Sequence, residues 1–232
     1  MIDFEIFSKV IMPAFYDTVY MVFWSSVFSV ILGTILGIII YVTDKGSIME
    51  QMSINKILNI IVNIGRSIPF VILIVALIPL TKLIIGTSIG RESAVVPLTI
   101  AAIPFVARVI DNAIKELDKG VIEAAISFGA TNREIIFKVL LPESASAIVN
   151  AITLTVINII GYSAMAGTVG AGGLGDVAIR YGYQRYQFDI LIYTIIIIVL
   201  MVLIVQSVGN ILADVLNKKD FSSKKFIFKS RR

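Results

Sequence analysis

The chain has 232 residues, 57% of them hydrophobic and only 16% charged, with a mean hydropathy of +0.93. A soluble domain of this size could not hide so much apolar surface, so a multi-span membrane protein is the default. It has no Cys and no His, which removes thiol chemistry, disulfides, imidazole metal sites and Ser-His or Cys-His catalysis; the net charge of +4 is read as topology rather than nucleic-acid affinity.

The first residues, Met1 to Lys9, carry Asp3 and Glu5 and lack the basic start of a cleavable signal, so the first apolar helix is expected to be retained. Five segments are apolar enough to cross about 30 Å of hydrocarbon, at 16–42, 67–85, 94–110, 145–169 and 188–213. In the first, Ser25, Ser29, Gly33 and Gly37 recur every four residues, a small-residue stripe for close packing within the subunit or across a dimer. Before the second, Ile54, Ile57, Leu58, Ile61 and Ile64 alternate with Asn55, Lys56, Asn59 and Asn63 at helical spacing, which predicts an interfacial amphipathic helix. Arg66 reads as an interfacial anchor rather than an ion site, and Pro69, Pro79, Pro97 and Pro104 predict bends in the second and third spans. With an external N-terminus, fifteen of the 20 Lys and Arg fall inside, among them Arg66, Arg108, Lys115 and the seven from Lys218 to Arg232. N-out, C-in is therefore expected.

Between the third and fourth spans lies a more polar cytoplasmic loop, 111–143, bounded by Asp111 and Glu143. Good helix formers from Val121 to Phe128 predict one short helix, stopped by Gly129 in a left-handed conformation. Thr131-Asn132-Arg133-Glu134 is a capping box that opens a second helix, expected to end before Pro142. Val121, Ile122, Ile126 and Phe128 are apolar anchors that a lone loop has little reason to expose, and Ala124 and Ala125 permit close approach. Glu123 either pairs with a basic group on a partner or caps the loop internally.

On the fourth span Ala151, Thr155, Asn158, Tyr162 and Met165 share one helical face. Lipid would penalise Asn158, so this face meets another helix or a translocation path; for Thr155 and Asn158 either serves, and Tyr162, Ser163 and Met165 favour the path. Gly170-Ala171-Gly172-Gly173-Leu174-Gly175 fits Gly-x-Gly-x-x-Gly but follows a membrane helix instead of a strand, which excludes a dinucleotide fingerprint. Gly170, Gly172, Gly173 and Gly175 read as an external hinge. Beyond it Tyr181, Tyr183, Arg185 and Tyr186 either touch a docking partner or form a solvated loop. The tail, 216–232, is basic and reads as a disordered segment drawn to anionic lipid.

The loop stretch EAAISFGATNREIIFKVLLP, Glu123 to Pro142, resembles the cytoplasmic coupling loop of ATP-binding-cassette (ABC) importer permeases, with Val139 where that family more often has Ile. RSIPF at Arg66 to Phe70, GTSIG at Gly86 to Gly90, VPLT at Val96 to Thr99 and GYSAMAGTVGAGGLG at Gly161 to Gly175 are similar to the membrane subunits of bacterial methionine importers. The resemblance implies an all-α, small-type ABC importer permease fold over 1–215, in the bacterial cytoplasmic membrane, working as a homodimer. It implies an ABC ATPase dimer below and a periplasmic or lipid-anchored methionine-binding protein above. Glu123, Ala124, Ala125, Gly129, Val121 and Phe128 would couple to the ATPase, and Asn158, Tyr162, Ser163 and Met165 would line the path for L- and D-methionine. The chain has no Gly-x-x-x-x-Gly-Lys-Ser/Thr loop, so ATP and Mg are expected on the partner, with no cofactor, metal or catalytic residue here. The alternatives are an ABC permease for another small solute, or a channel or carrier of another class, which a mid-span acid would favour; an intramembrane enzyme lacks an acid-base pair.

Overall fold

In hydrocarbon every backbone polar group must be satisfied within its own segment, so long apolar runs leave helices as the solution. A computed structural model describes residues 7–229, with side chains as far as Asn217, and among the described residues there is no strand. In chain order the helices are α1 (Phe7–Val42), α2 (Met52–Ser67), α3 (Phe70–Ala76), α4 (Ile78–Ile85) and α5 (Arg91–Lys115). The cytoplasmic elbow follows as α6 (Lys119–Ser127) and α7 (132–143), then α8 (Ala145–Ala166), α9 (Gly173–Val177) and α10 (Phe188–Lys229). The segments Phe7–Val42, Arg91–Lys115, Ala145–Ala171 and Phe188–Asn217 are each long and apolar enough to cross a membrane, and α2 with α3, bent by 101°, brings the number to five when the pair is counted as one span.

The small-residue stripe of α1 is buried and packs within the chain. A Cβ on Gly33 would stand 2.5 Å from Val106 Cβ, and one on Gly37 2.7 Å from the Ala107 carbonyl oxygen, so α1 and α5 touch backbone to backbone. That contact is the spine of the fold.

Helix α2 departs from the expected interfacial helix. Asn55 and Asn59 turn towards α1 and α5: Asn55 Nδ2 donates to the Ile40 carbonyl at 2.7 Å, and Arg108 on α5 donates to Asn59 Oδ1 at 2.9 Å and to the exposed Asn63 Oδ1 at 3.0 Å. Its isoleucines Ile57, Ile60, Ile61 and Ile64 face outward. The helix is amphipathic, but its inner face is mixed: Asn55 and Asn59 lie there with Val62 and Leu58, which pack on Ile40 and Ala107, while the isoleucines are left to lipid. Arg66 is accordingly not an anchor at the membrane rim. A Cβ on the preceding Gly65 would stand 2.7 Å from the Pro104 ring, near the midpoint of α5, so Arg66 lies at mid-depth. The second span is interrupted where its prolines predict bends, at Ser67 to Pro69 and again at Leu77, ahead of Pro79.

Two loop boundaries also differ. Asp111 lies inside α5, fully buried, with Oδ2 paired to Arg108 at 3.4 Å and to Lys115 at 3.1 Å, so the loop begins only after Lys115. The second loop helix does not stop before Pro142. A wide π turn over Ile135–Leu140 precedes it, and the looser backbone accommodates the missing N–H and the ring. The helical backbone of α10 continues to Lys229; the side chains of the basic tail from 218 on, and residues 230–232, lie outside the described residues, and the lipid reading falls there.

Candidate coupling surface and translocation groove

The elbow is built as the loop chemistry predicts. Asp118 caps α6 by accepting from Gly120 N at 2.9 Å, and Gly129, at φ 78°, turns the chain while Ala130 N donates back to the Ala125 carbonyl at 3.1 Å. The capping box is formed in both directions: Thr131 N donates to Glu134 Oε2 at 3.1 Å and Glu134 N to Thr131 Oγ1 at 3.4 Å. Lys138 Nζ sits 2.9 Å from Glu134 Oε1, and this ion pair, with the Thr131 hydrogen bonds, holds the carboxyl at about 2. Ile122, expected among the exposed anchors, is instead buried, in one cluster with Val42, Val106, Ile110, Ile114, Ile135, Leu140 and Ala151. Ala125 packs against that cluster, Val121 is half-buried, and Glu123 and Ala124 are exposed. The outer face carries Ile126, Phe128 at 91% exposure and Phe137 at 67%.

Phe137 was not singled out from the sequence, because the π turn shifts the helical phase between Ile135 and Leu140 and a 3.6-residue period misplaces it. The Glu123 carboxylate has no hydrogen bond or ion pair among the described residues, so it does not cap the loop. It lines a cleft of about 340 Å³ together with Lys45, Lys115, Lys119 and Asp44. Lys115 bonds Asp44 at 2.9 Å and, with the Lys45 amide, holds that carboxyl below its usual value.

Along α8 the expected pathway residues separate. Asn158 and Tyr162 line a cavity of about 170 Å³ with Arg66, Phe70, Ala101 and Phe105, at the break of the second span. The Tyr162 ring stacks on Phe70, 4.6 Å between centroids and 9° between planes. Met165 is exposed beside them, with Gly161 and Leu154 on the same side. Ser163 and Thr155 turn inward and donate to the carbonyls of Ile160 at 2.7 Å and Ala151 at 2.9 Å, so neither is directed to the groove. Towards the cytoplasmic end the α8 face continues through Leu154, Asn150 and Ala147 into a polar cavity of about 510 Å³, which Asn112, Glu116, Glu143 and Asn217 also line.

The glycine segment is a packed turn. Gly170, Gly172 and Gly173 have φ of 95°, 79° and 79°, Leu174 N donates to Thr18 Oγ1 at 2.8 Å, and a Cβ on Gly173 would stand 2.7 Å from that hydroxyl. Gly175 presses on the Ala164 backbone, where any Cβ would overlap it. Gly90 N donates to the Gly170 carbonyl at 2.9 Å, and nearby Arg91 pairs with Asp17 at 2.9 Å, tying the same ends of α1, α5 and α8 together. Beyond α9, Tyr181 is covered by Arg180 and Arg185, at 5.2 and 4.6 Å from its ring centroid, while Tyr183 and Tyr186 are exposed.

The chain thus presents an exposed apolar elbow rooted in the core, beside a groove along α8, and comparison with known proteins decides its family. Residues 33–219 match the family described as binding-protein-dependent transport system inner membrane component. The chain belongs to that family. It is 50% identical over 209 residues to the probable D-methionine transport system permease protein MetI of Vibrio cholerae, covering 90% of this chain and 93% of that protein. It is 43% identical over 206 residues to the methionine import system permease protein MetP of Bacillus subtilis, covering 89% and 93%. A chain in the native CY5 crystal form of the inward-facing MetNI methionine ABC transporter superposes with a TM-score of 0.88 at 42% identity, over 89% of this chain and 96% of that one.

In this inner membrane component the expected coupling residues share one elbow, and Asn158 and Tyr162 line one cavity, with Met165 exposed further along α8. Arg66, read from sequence as an anchor, joins Asn158 and Tyr162 there. Among the described residues no group of three or more Asp or Glu could hold a metal ion.

Proposed function

We propose that the chain is the membrane subunit of a bacterial inner-membrane ABC importer that carries methionine, with ATP and Mg bound by a separate ATPase. The observation that carries this reading is the elbow. Phe128, Phe137 and Ile126 point outward from a segment too charged to sit in lipid, while Ile122 on the same helix enters a core that joins α1, α5, α7 and α8. An ATPase gripping the outer face would therefore move the ends of several spans together as a rigid unit. ATP shifts such a permease only by stabilising one of its two access states over the other. The basic residues favour a cytoplasmic elbow and an external glycine turn. A second copy of the chain would close the groove along α8, the glycine turn would flex at its outer mouth, and Tyr183 and Tyr186 would meet a substrate-delivering binding protein. Methionine is supported by the names of relatives that align along nearly their whole length. Vesicles holding this chain with its ATPase and binding protein are expected to accumulate labelled methionine only with internal and external components complete and ATP on the ATPase side. Uptake without ATP would point to a channel or carrier instead.

A further inference from the structure

Arg66 stands in the last turn of α2, exposed in the isolated chain, where the second span breaks beside the middle of α5. Its guanidinium has no ion-pair or hydrogen-bond partner among the described residues, whereas Arg108 nearby is held by Asp111, Asn59 and Asn63. A cation at that depth is costly unless it meets counter-charge, water or a ligand. The cavity it lines is bordered by the Phe70–Tyr162 stack, by Phe105 and by the Asn158 amide. A guanidinium fork matches a carboxylate, an amide oxygen accepts from an ammonium, and aromatic walls accept an apolar or thioether side chain. No acidic residue lines the cavity to balance a cationic side chain.

We propose that this cavity is a membrane-embedded subsite for a zwitterionic α-amino acid with an uncharged side chain. Arg66 binds the carboxylate, Asn158 accepts from the ammonium, and Phe70, Phe105 and Tyr162 hold the side chain. The subsite rests on the transport reading above and assigns a polar grip within the membrane, where a smooth passage would have none.

The chain contains no cysteine, so Ala101→Cys on the cavity wall gives it a single thiol. In the full complex with its ATPase in nanodiscs, alkylation of that thiol is followed by the mass of this chain. Saturating L-methionine is expected to slow it about tenfold, and methioninol, which lacks the carboxylate, to leave it unchanged. Arg66→Gln abolishes the protection and Arg66→Lys retains part of it. Equal protection by both compounds, protection that survives Arg66→Gln, or no protection by methionine overturns the subsite. Methionine uptake by the parent complex is measured alongside; its absence sinks the transport reading, whereas uptake without protection sinks the subsite alone.

Discussion

At the scale of single residues the elbow depends on two different kinds of constraint. Gly129 has open space where a Cβ would stand, so its requirement is its φ of 78° and not crowding. Gly129→Val is expected to cost about 1–2 kcal/mol in that left-handed conformation, and Gly129→Asn, which tolerates it, much less. ATPase activity coupled to uptake in the assembled complex should follow the same order, and equal loss in both variants would assign the glycine to contact instead. Glu134 is constrained by charge. Its folded carboxyl titrates at about 2, below the ordinary 4.5, so the cap's contribution is complete above the ordinary value and is lost as pH falls from there through about 2. Titration of a labelled Glu134 carboxyl should show that low midpoint, and Lys138→Ala should raise it, because the Lys138 ion pair is the leading cause.

At the scale of elements, the residues that fail to follow the sequence pattern are the polar ones inside the bundle. The capping box and the left-handed glycine were legible because they depend on neighbours within a few positions. Helix α2 was not, since periodicity shows that two faces differ but not which one meets protein, and only Arg108, 45 residues beyond Asn63, settles it. Packing between separate helices likewise set the surroundings of Arg66 and buried Ile122. If α2 is held by its asparagines, Arg108→Met takes the donor from the Asn59 and Asn63 side-chain oxygens and is expected to destabilise by about 1–3 kcal/mol. Ile57→Leu on the lipid side should stay within about 0.5 kcal/mol. Thermal melting of the detergent-solubilised chain checks both, and a silent Arg108→Met would return α2 to the membrane surface.

At the scale of the whole molecule, α6 is a lever with one side in the core and the other free. Ile122 packs with residues from α1, α5, α7 and α8, whereas Phe128 touches almost nothing in the isolated chain. These two positions, on one short helix, should separate folding from assembly. Ile122→Ala removes a buried aliphatic group and is expected to cost about 2–4 kcal/mol of stability, lowering the melting temperature before any partner is present. Phe128→Ala should leave that melting within about 0.5 kcal/mol. If Phe128 fills a pocket on the ATPase, the same substitution weakens the complex by about 2 kcal/mol or more, read as loss of the ATPase from the co-purified assembly. A Phe128 variant that melts like the parent and retains its ATPase would leave the exposed aromatic without a role in coupling. One that melts lower would mean that the elbow's outer face supports the fold, and the lever would then have no free side by which an ATPase could move it.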